Sequence, residues 1–297
     1  MSVWTIWGST HYHWRQGVAI GSISLLLFAC AAPPEASAPV SPSPPPSVER
    51  VVALTSLSAD LVQRLDADKL VGIPGSRLLQ DDPRFQDMSV VSEGRTPPNL
   101  ETIVALEPDL VIGAVGFHDQ VLQKLEQLNI STLRTEMGSL QNLEQLTLAL
   151  ATQLGAEPTA IQAQYQACSP ADFGSQPSIL VLTSQQPLLA PNKDSWAGDL
   201  LTRFQFQNVV ADLQGSGPFS GYVTLSAEKV LEANPEILIT VEAAPGMLDA
   251  LRTEPFWQQL SAVQSGQVHQ ADYYGLINPG SLQAIQTACQ FLQTLQD

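Results

Sequence analysis

A pattern that occurs twice in the chain sets the strongest limit on its fold. Residues 99–112 read N-L-E-T-I-V-A-L-E-P-D-L-V-I, and residues 226–239 read S-A-E-K-V-L-E-A-N-P-E-I-L-I. In each copy a glutamate, Glu101 or Glu228, stands seven positions before a proline, and an acidic residue and an apolar run follow that proline. Because the residue before proline is pushed out of helical geometry, each copy predicts a helix that leads into a buried strand. Two copies 127 positions apart predict two similar lobes with a cleft between them.

Each repeat also carries the residues that begin a helix. Asn99 and Ser226 are predicted N-caps, and Glu101 and Glu228 then fall in the first helical turn. The helix dipole favours a carboxylate there by about 0.3–1 kcal/mol. This preference alone would explain both glutamates, so the repeat by itself assigns them no function.

Strands and helices alternate along the rest of the chain, and the strands are unbroken apolar runs. This arrangement is typical of an α/β fold with mostly parallel sheets covered on both faces. We predict two Rossmann-like lobes, at 49–157 and 173–297, joined by a linker helix at 158–172. The predicted strands are 51–54, 70–73, 110–112, 130–133, 179–182, 208–210, 237–239 and 267–270. The predicted helices outside the repeats are 59–65, 120–128, 143–154, 195–204, 256–263 and 279–295.

The N-terminus is predicted to be a targeting segment. Gly17–Ala29 is an apolar stretch that is too short to span a membrane but suits the core of a signal peptide, so residues 1–29 are read as one. It ends in Leu27-Phe28-Ala29-Cys30, which resembles a bacterial lipobox with Cys30 as the lipidated residue. The alternative is an ordinary secretory signal cut elsewhere. Residues 31–48 contain seven prolines, and a segment of this composition is an extended tether, here 30–48.

The charge balance excludes two classes of partner. The formal net charge is −16, and Arg15 is the only charged residue of the signal segment, so the remainder carries −17. Such a surface repels nucleic acids and anionic lipid surfaces, which are bound by basic patches. We expect a soluble monomer that is held at the membrane by its lipid alone.

Two cysteines, Cys168 and Cys289, remain if Cys30 is lipidated. An exported protein occupies an oxidising compartment, which favours a disulfide between them. The alternative is a pair of buried free thiols.

Motifs for catalysis and metal binding are missing from the sequence. After the signal segment, His118 and His269 are the only histidines, and no H-x-x-x-H, C-x-x-C, G-x-S-x-G or phosphate-binding glycine motif occurs. We therefore predict neither an enzyme nor a resident metal or cofactor.

Residues that follow predicted strands are the candidate ligand-binding residues, because ligands of open α/β sheets bind outside the carboxyl ends of the strands. Aromatic side chains with a few cations suit a large conjugated or chelate ligand, although aromatic residues in such loops also pack locally. The candidates are Ser56, Arg77, Phe117 and His118 in the first lobe and Lys193, Trp196, Tyr222, Tyr273 and Tyr274 in the second.

The chain resembles the substrate-binding proteins of ABC importers for ferric siderophores, cobalamin and haem. The resemblance covers about residues 49–295. It rests on R-V-V-A-L at 50–54 with the S-x-S-A-D turn, on both repeats, and on P-F-W-Q-Q-L-S-A-V-Q-S-G-Q-V at 255–268.

This resemblance implies a partner and a cargo. In the family, one glutamate on the tip of each lobe docks onto arginines of the membrane permease, and these match Glu101 and Glu228. The segment A-D-Y-Y-G-L-I-N-P-G-S at 271–281 is most similar to the ferric-siderophore members. We therefore expect a ferric siderophore as cargo, with cobalamin or haem as the alternative within the family and a chelatase-like enzyme on the same fold as the alternative outside it.

The chain departs from the family pattern in two places. Pro170 is expected to end the linker helix early. Siderophore pockets often carry several arginines. Here the only cations placed to meet a ligand are Arg77, Arg84, Arg95 and Lys193. This small number leaves room for a neutral ligand.

Overall fold

The computed structural model of the protein describes residues 48–93, 96–168, 176–215, 220–241 and 246–296. Several predictions lie outside these residues: the signal segment 1–29, lipidation of Cys30, the tether up to residue 47, Arg95, and the end of the linker helix at Pro170.

The first lobe is a five-stranded parallel sheet, in the order β3-β2-β1-β4-β5, with helices packed against it. Its central strands are apolar and buried on both faces, as predicted for a covered parallel sheet. Its elements are β1 Val51–Ala53, α1 Ser56–Leu65, β2 Leu70–Gly75, α2 Arg77–Gln80, β3 Ser89–Glu93, α3 Leu100–Ala105, β4 Leu110–Ala114, α4 Asp119–Gln127, β5 Ser131–Thr135 and α5 Leu140–Leu154.

Two predictions for the first lobe are wrong. β2 does not stop before Pro74 but continues through it to Gly75. The register of β2 on β3 shifts between Ile73 and Pro74, and such an irregularity accommodates a residue that has no N–H to donate. β3 is absent from the predicted strands, because as an edge strand it buries only Val91 fully.

The linker begins with α6, Thr159–Tyr165, and continues as one 3-10 turn to Cys168. Pro158 is the N-cap of α6 and not its first helical residue. Ile161 and Tyr165 are buried, so this part of the linker packs into the core of the molecule and does not cross solvent between the lobes.

The second lobe contains a four-stranded parallel sheet, β12-β11-β6-β9, and a three-stranded antiparallel sheet, β10-β8-β7. Its elements are β6 Ser178–Leu182, β7 Ser184–Gln185, β8 Leu188–Pro191, α7 Trp196–Arg203, β9 Gln207–Asn208, β10 Tyr222–Leu225, α8 Ala227–Ala233, β11 Ile237–Val241, α9 Met247–Arg252, α10 Ser261–Gln264, β12 Val268–Ala271, α11 Tyr273–Leu276 and α12 Leu282–Thr294.

Part of the second lobe differs from the prediction. The antiparallel sheet was not predicted, because its strands are only two to four residues long. The helix predicted at 256–263 is a 3-10 turn, Trp257–Gln259, followed by α10, because Leu260 between them is extended. The last helix starts at Leu282 with Ser281 as its N-cap, and not at Pro279.

Both repeats form a helix that leads into a buried strand, as predicted. The side chains of Asn99 and Ser226 accept hydrogen bonds from backbone N–H groups of α3 and α8. The residue before each proline, Glu107 or Asn234, has a positive φ, of 47° and 35°, which ends the helix and turns the chain towards β4 or β11.

The acidic residue after each repeat proline holds the start of its lobe's first strand. Asp109 Oδ2 accepts the backbone N–H groups of Glu49 and Arg50, both at 2.9 Å, next to β1. Glu236 Oε2 accepts the N–H of Ser178 at 2.7 Å, at the start of β6. The two repeats therefore make the same long-range contact in the two lobes.

One apolar core extends across both lobes and the linker. It includes side chains of β1, α1, α5, α6, β6, α7 and α12, and smaller clusters fill the outer side of each lobe. α12 contacts α1 of the first lobe and α6 of the linker. A disulfide joins Cys289 of α12 to Cys168 at the end of the linker, with a Cα–Cα distance of 5.0 Å.

Candidate functional site

The carboxyl ends of the two parallel sheets approach each other at one flank through α2 and α12. Gly280, just before α12, lies so close to Leu78 of α2 that a Cβ at Gly280 would be 2.8 Å from Leu78 Cδ2. The same Cβ would be 2.8 Å from Tyr274 Cδ1. The chain after β2 therefore contacts the chain after β12.

A second contact joins the other flank of the lobes. The backbone N–H of Leu140, at the start of α5, donates to Asp199 Oδ2 of α7 at 2.9 Å. Gly138 precedes α5, and a Cβ there would be 3.8 Å from the carbonyl oxygen of Asp194. The residues that follow β1 and β4 lie between these two flanks in the sheet order, because β1 and β4 are the central strands of the first sheet.

The candidate residues of the first lobe all follow strands of its sheet. Ser56 begins α1 after β1, and Arg77 begins α2 after β2. Phe117 and His118 follow β4, and the Phe117 side chain is 77% exposed. An aromatic ring left in solvent at this edge is available for contact with a ligand.

His118 is tied to the strand that precedes it. Its Nδ1 accepts the backbone N–H of Ala114 at 2.9 Å, so the neutral ring carries its proton on Nε2. Partial burial lowers the pKa of His118 below its ordinary value, although the charge of Asp119 acts in the opposite direction. His118 therefore presents a neutral N–H at neutral pH.

The tyrosines of the second lobe form a connected group. Tyr222 Oη donates to the Ile277 carbonyl at 3.4 Å, and burial raises the pKa of the Tyr222 phenol. The rings of Tyr273 and Tyr274 meet edge to face with centroids 5.4 Å apart. Asp272 fixes this turn, because its Oδ1 accepts the N–H of Tyr274 at 2.8 Å. All three tyrosine side chains are partly exposed.

The prediction that Trp196 faces a ligand is wrong. Trp196 is 2% exposed, and its indole N–H donates to the Gly275 carbonyl at 2.9 Å. The side chain lies in the core, where the satisfied N–H makes burial of the indole favourable. Trp196 instead supports α11, which carries Tyr273 and Tyr274.

Lys193 lies in the exposed loop before α7 and is already paired. Its Nζ is 2.7 Å from Asp212 Oδ1, and hydrogen bonding to Asp212 raises the pKa of Lys193. The structure thus provides Lys193 with a local counter-ion on the protein surface.

A buried carboxylate outside the predicted set of site residues joins the two lobes. Asp60 of α1 has no exposed surface, and it accepts hydrogen bonds from Arg64 Nε at 3.0 Å and the Leu282 N–H at 2.8 Å. Arg84 Nη2 is 2.8 Å from Asp60 and 2.6 Å from Asp82, and its hydrogen bond lowers the pKa of Asp82. Because Leu282 begins α12, Asp60 also interacts favourably with the dipole of that helix.

A cavity of about 310 Å³ adjoins this cluster between the lobes. Leu78 and Arg84 line it from the first lobe, and Asp272 and Gln283 line it from the second. The cavity lies at the flank where the strand ends meet. Its lining includes the sequence neighbours of both Arg77 and Tyr273.

We expect Asp60→Asn to lower the free energy of unfolding by about 3 kcal/mol, because it leaves two guanidinium groups and a helix N-terminus facing a neutral amide. This value is the lower end of the stability loss expected when a buried ion pair is broken, because both arginines reach solvent. Urea denaturation measures the loss. Asp249→Asn, which removes the exposed partner of Arg252, is the matched control and should change stability by less than about 0.5 kcal/mol. Equal effects of the two changes would show that the buried cluster does not hold the lobes.

The two repeat glutamates have the same local setting. Glu101 and Glu228 are each the second residue of their helix, exposed, and outside every ion pair found among the described residues. Their position on exposed helix starts leaves both carboxylates accessible to a partner.

The described part of the chain contains neither a cluster of metal ligands nor a membrane-spanning helix. No cluster of three or more His, Cys, Asp or Glu side chains there is arranged to hold a metal ion. No helix in the same ranges has the length and apolar character needed to cross a membrane.

Comparison with known proteins gives consistent matches over most of the chain. The profile of a family described as periplasmic binding protein matches residues 51–273. The vitamin B12-binding protein of Vibrio parahaemolyticus is 24% identical over 266 residues, which cover 84% of this chain and 91% of that protein. The Fe(3+)-citrate-binding protein YfmC of Bacillus subtilis is 25% identical over 190 residues, 60% of this chain and 58% of that one.

Solved structures share the same fold. The crystal structure of an ABC transporter substrate-binding protein from Listeria monocytogenes superimposes with a TM-score of 0.69 at 20% identity. The superposition covers 84% of this chain and 99% of that one. The two-lobed architecture described above is therefore shared with solved proteins of this type.

Proposed function

The chain belongs to the periplasmic binding protein family, and we propose that it is the substrate-binding component of an ABC importer whose cargo is a ferric siderophore. As a member of that family it is a binding protein and not an enzyme. Ligand capture, and not chemistry, is then the task of the groups at the strand ends.

The observation that carries the proposal is that strand ends of the two lobes meet and that exposed aromatic side chains follow those strands. Phe117 extends into solvent from the first lobe, and Tyr273 and Tyr274 lie partly exposed on the second. Aromatic rings offer apolar surface to the organic shell of a metal chelate, and the tyrosine hydroxyls add hydrogen bonds. Ser56, Arg77, His118 and Tyr222 are the polar groups that we assign to the rim of this site.

The proposed partner is the membrane permease of the importer. We assign Glu101 and Glu228 as its contacts, one on each lobe, where they would meet arginines of the permease as in the family that the sequence resembles. Both glutamates are exposed on equivalent helix starts. Delivery of cargo then requires both lobes to engage at once.

The proposed location is the outer face of the membrane. We assign Cys30 as the lipidated residue and residues 31–48 as the tether, from the sequence alone. A Bacillus subtilis relative is named a substrate-binding lipoprotein. A proline-rich tether would hold the globular part away from the lipid surface.

A cobalamin or haem cargo is the second candidate. It is favoured by the relatives that carry the name vitamin B12-binding protein and by the structural similarity to a haem-binding protein in complex with two haems. The same aromatic groups would serve either macrocycle.

Tryptophan fluorescence tests the cargo directly. Trp196 and Trp257 are the only tryptophans after the signal segment, and Trp196 supports the turn with Tyr273 and Tyr274. In Trp257→Phe protein without residues 1–29, we expect a ferric siderophore to quench the Trp196 emission saturably. Trp196→Phe protein, which keeps Trp257 in the outer core of the second lobe, is the control and should be quenched less.

Each outcome of this titration has a clear meaning. If the quenching saturates only with cobalamin or haem, the cargo is the second candidate and not a siderophore. No response to siderophores, cobalamin or haem would reject a role in capturing any of these ligands.

A further inference from the structure

Carboxylates surround the edge where the proposed cargo would bind. Glu93 ends β3 and Glu136 follows β5 in the first lobe, and Asp194 and Asp272 lie in the loops before α7 and α11 of the second. Asp119 follows His118 at the start of α4. All five are exposed. Together they give this face a negative potential, which attracts cations and repels anions.

The cations near this face are largely neutralised by partners of their own. Lys193 is paired with Asp212 at 2.7 Å. Arg84 is held between Asp60 and Asp82. Arg77, which begins α2 directly after β2, is exposed and takes part in none of the ion pairs found among the described residues. Arg134 lies 4.0 Å from Asp119 but also pairs with Glu126. Arg77 and this shared arginine do not balance the five carboxylates.

The remaining titratable groups of the site add no positive charge. The ring of His118 accepts a backbone N–H through Nδ1, and burial lowers its pKa, so it is neutral at pH 7. Tyr222 is also neutral, because burial raises the pKa of its phenol. The site thus offers neutral hydrogen-bonding groups and apolar surface, including Val115 and Phe117, which are 46% and 77% exposed.

From this charge distribution we infer that the cargo is a neutral or cationic ferric chelate of the trihydroxamate class. The inference rests on the proposed function and narrows it. Three hydroxamate monoanions around Fe(III) give a neutral complex, whereas three catecholate dianions leave it trianionic. The neutral complex loses little electrostatic free energy on approach to the carboxylates, and its largely aliphatic shell can pack against Phe117 and the paired tyrosines.

Two chelates of matched iron content and different charge test the inference. We expect the protein without residues 1–29 to bind a neutral ferric trihydroxamate about 100-fold more tightly than a trianionic ferric tricatecholate at about 0.05 M NaCl. The difference between the two affinities should narrow at about 0.5 M NaCl, because salt screens the repulsion between the tricatecholate and the carboxylates. Equal or tighter binding of the tricatecholate at low salt would overturn the inference and leave the siderophore function standing.

A variant with one unpaired lysine tests the cause. Asp212→Asn removes the counter-ion of Lys193, and we expect it to strengthen tricatecholate binding by about 3–10-fold without affecting the trihydroxamate. Glu232→Gln is the matched control, since it frees Lys229 from an exposed pair of 2.6 Å on α8 with the same change in net charge. Equal effects of both variants on tricatecholate binding would show that Lys193 does not face the cargo and would overturn this charge assignment.

Failure of the proposed function gives a different result. Binding of neither chelate, with saturable binding of cobalamin or haem, would reject the siderophore cargo itself. Binding of the tricatecholate alone would reject only the charge class.

Discussion

Replacement of both Cys168 and Cys289 by alanine is expected to lower the free energy of unfolding by about 4 kcal/mol. The disulfide closes a loop between residues 121 positions apart, and a cross-link over such a loop removes much of the entropy of the unfolded chain. Both cysteines are buried in the core that spans the two lobes, so alanine also leaves small voids there. Urea denaturation of the oxidised wild type and of the double variant measures the difference.

Two further measurements separate the contribution of the cross-link to stability from that of the packing. Reduction of the wild-type protein removes the bond and keeps both sulfur atoms, so it should produce most of the loss. Because the entropic effect acts on the unfolded state, the variant should refold more slowly, while its unfolding rate changes less. A loss below about 1 kcal/mol on reduction would show that α12 is held by its packing and by the contact of Leu282 with Asp60 alone.

The position of this disulfide explains why its removal should destabilise both lobes. Cys289 lies on α12, which begins at Leu282 on the Asp60 cluster of the first lobe and contacts the linker helix α6. Cys168 ends the described part of the linker. Linker, last helix and first lobe therefore form one connected unit, and a short α6 does not imply loosely joined lobes.

The repeats could be read from the sequence because their signals are local. A cap, a first-turn glutamate and a proline lie within ten residues of one another, and each has a fixed effect on the backbone. The contacts that Asp109 and Glu236 make with the starts of β1 and β6 could not be read in the same way. Their partners lie 58 to 60 positions away in the sequence, and no local pattern identifies them.

The candidate site shows the same division between local and long-range information. The order of strands and helices placed Phe117 and Tyr273 after strands, because ligand-facing positions follow from the topology. It left Trp196 among the candidates, although a tryptophan that opens an apolar helix lies in the core more often than at a ligand. The hydrogen bond to Gly275, 79 positions away, decides for the core. Asp60 was missed because its buried network involves Arg84 and Leu282 from distant segments.

Simultaneous charge reversal at Glu101 and Glu228 is expected to abolish uptake while leaving cargo binding intact. Each residue is the second of its helix and exposed, so an arginine there costs about 0.3–1 kcal/mol of helix-dipole energy and no packing. It would, however, face the arginines proposed on the permease, and like charges at an interface cost several kcal/mol. Uptake of radiolabelled ferric siderophore by cells that carry the full-length variant measures the effect.

A control of equal charge is needed because the variant changes the net charge by four. Asp68→Arg with Glu157→Arg makes the same change in net charge near the amino ends of the first lobe's strands, away from the proposed docking surface. Both positions are exposed and lie outside the ion pairs found among the described residues. This control should retain uptake. Single reversal at Glu101 or Glu228 should reduce uptake less than the double change, since each lobe would contribute one contact. If the double variant instead loses cargo affinity in the fluorescence titration, the two glutamates belong to the pocket or the fold and not to a docking surface.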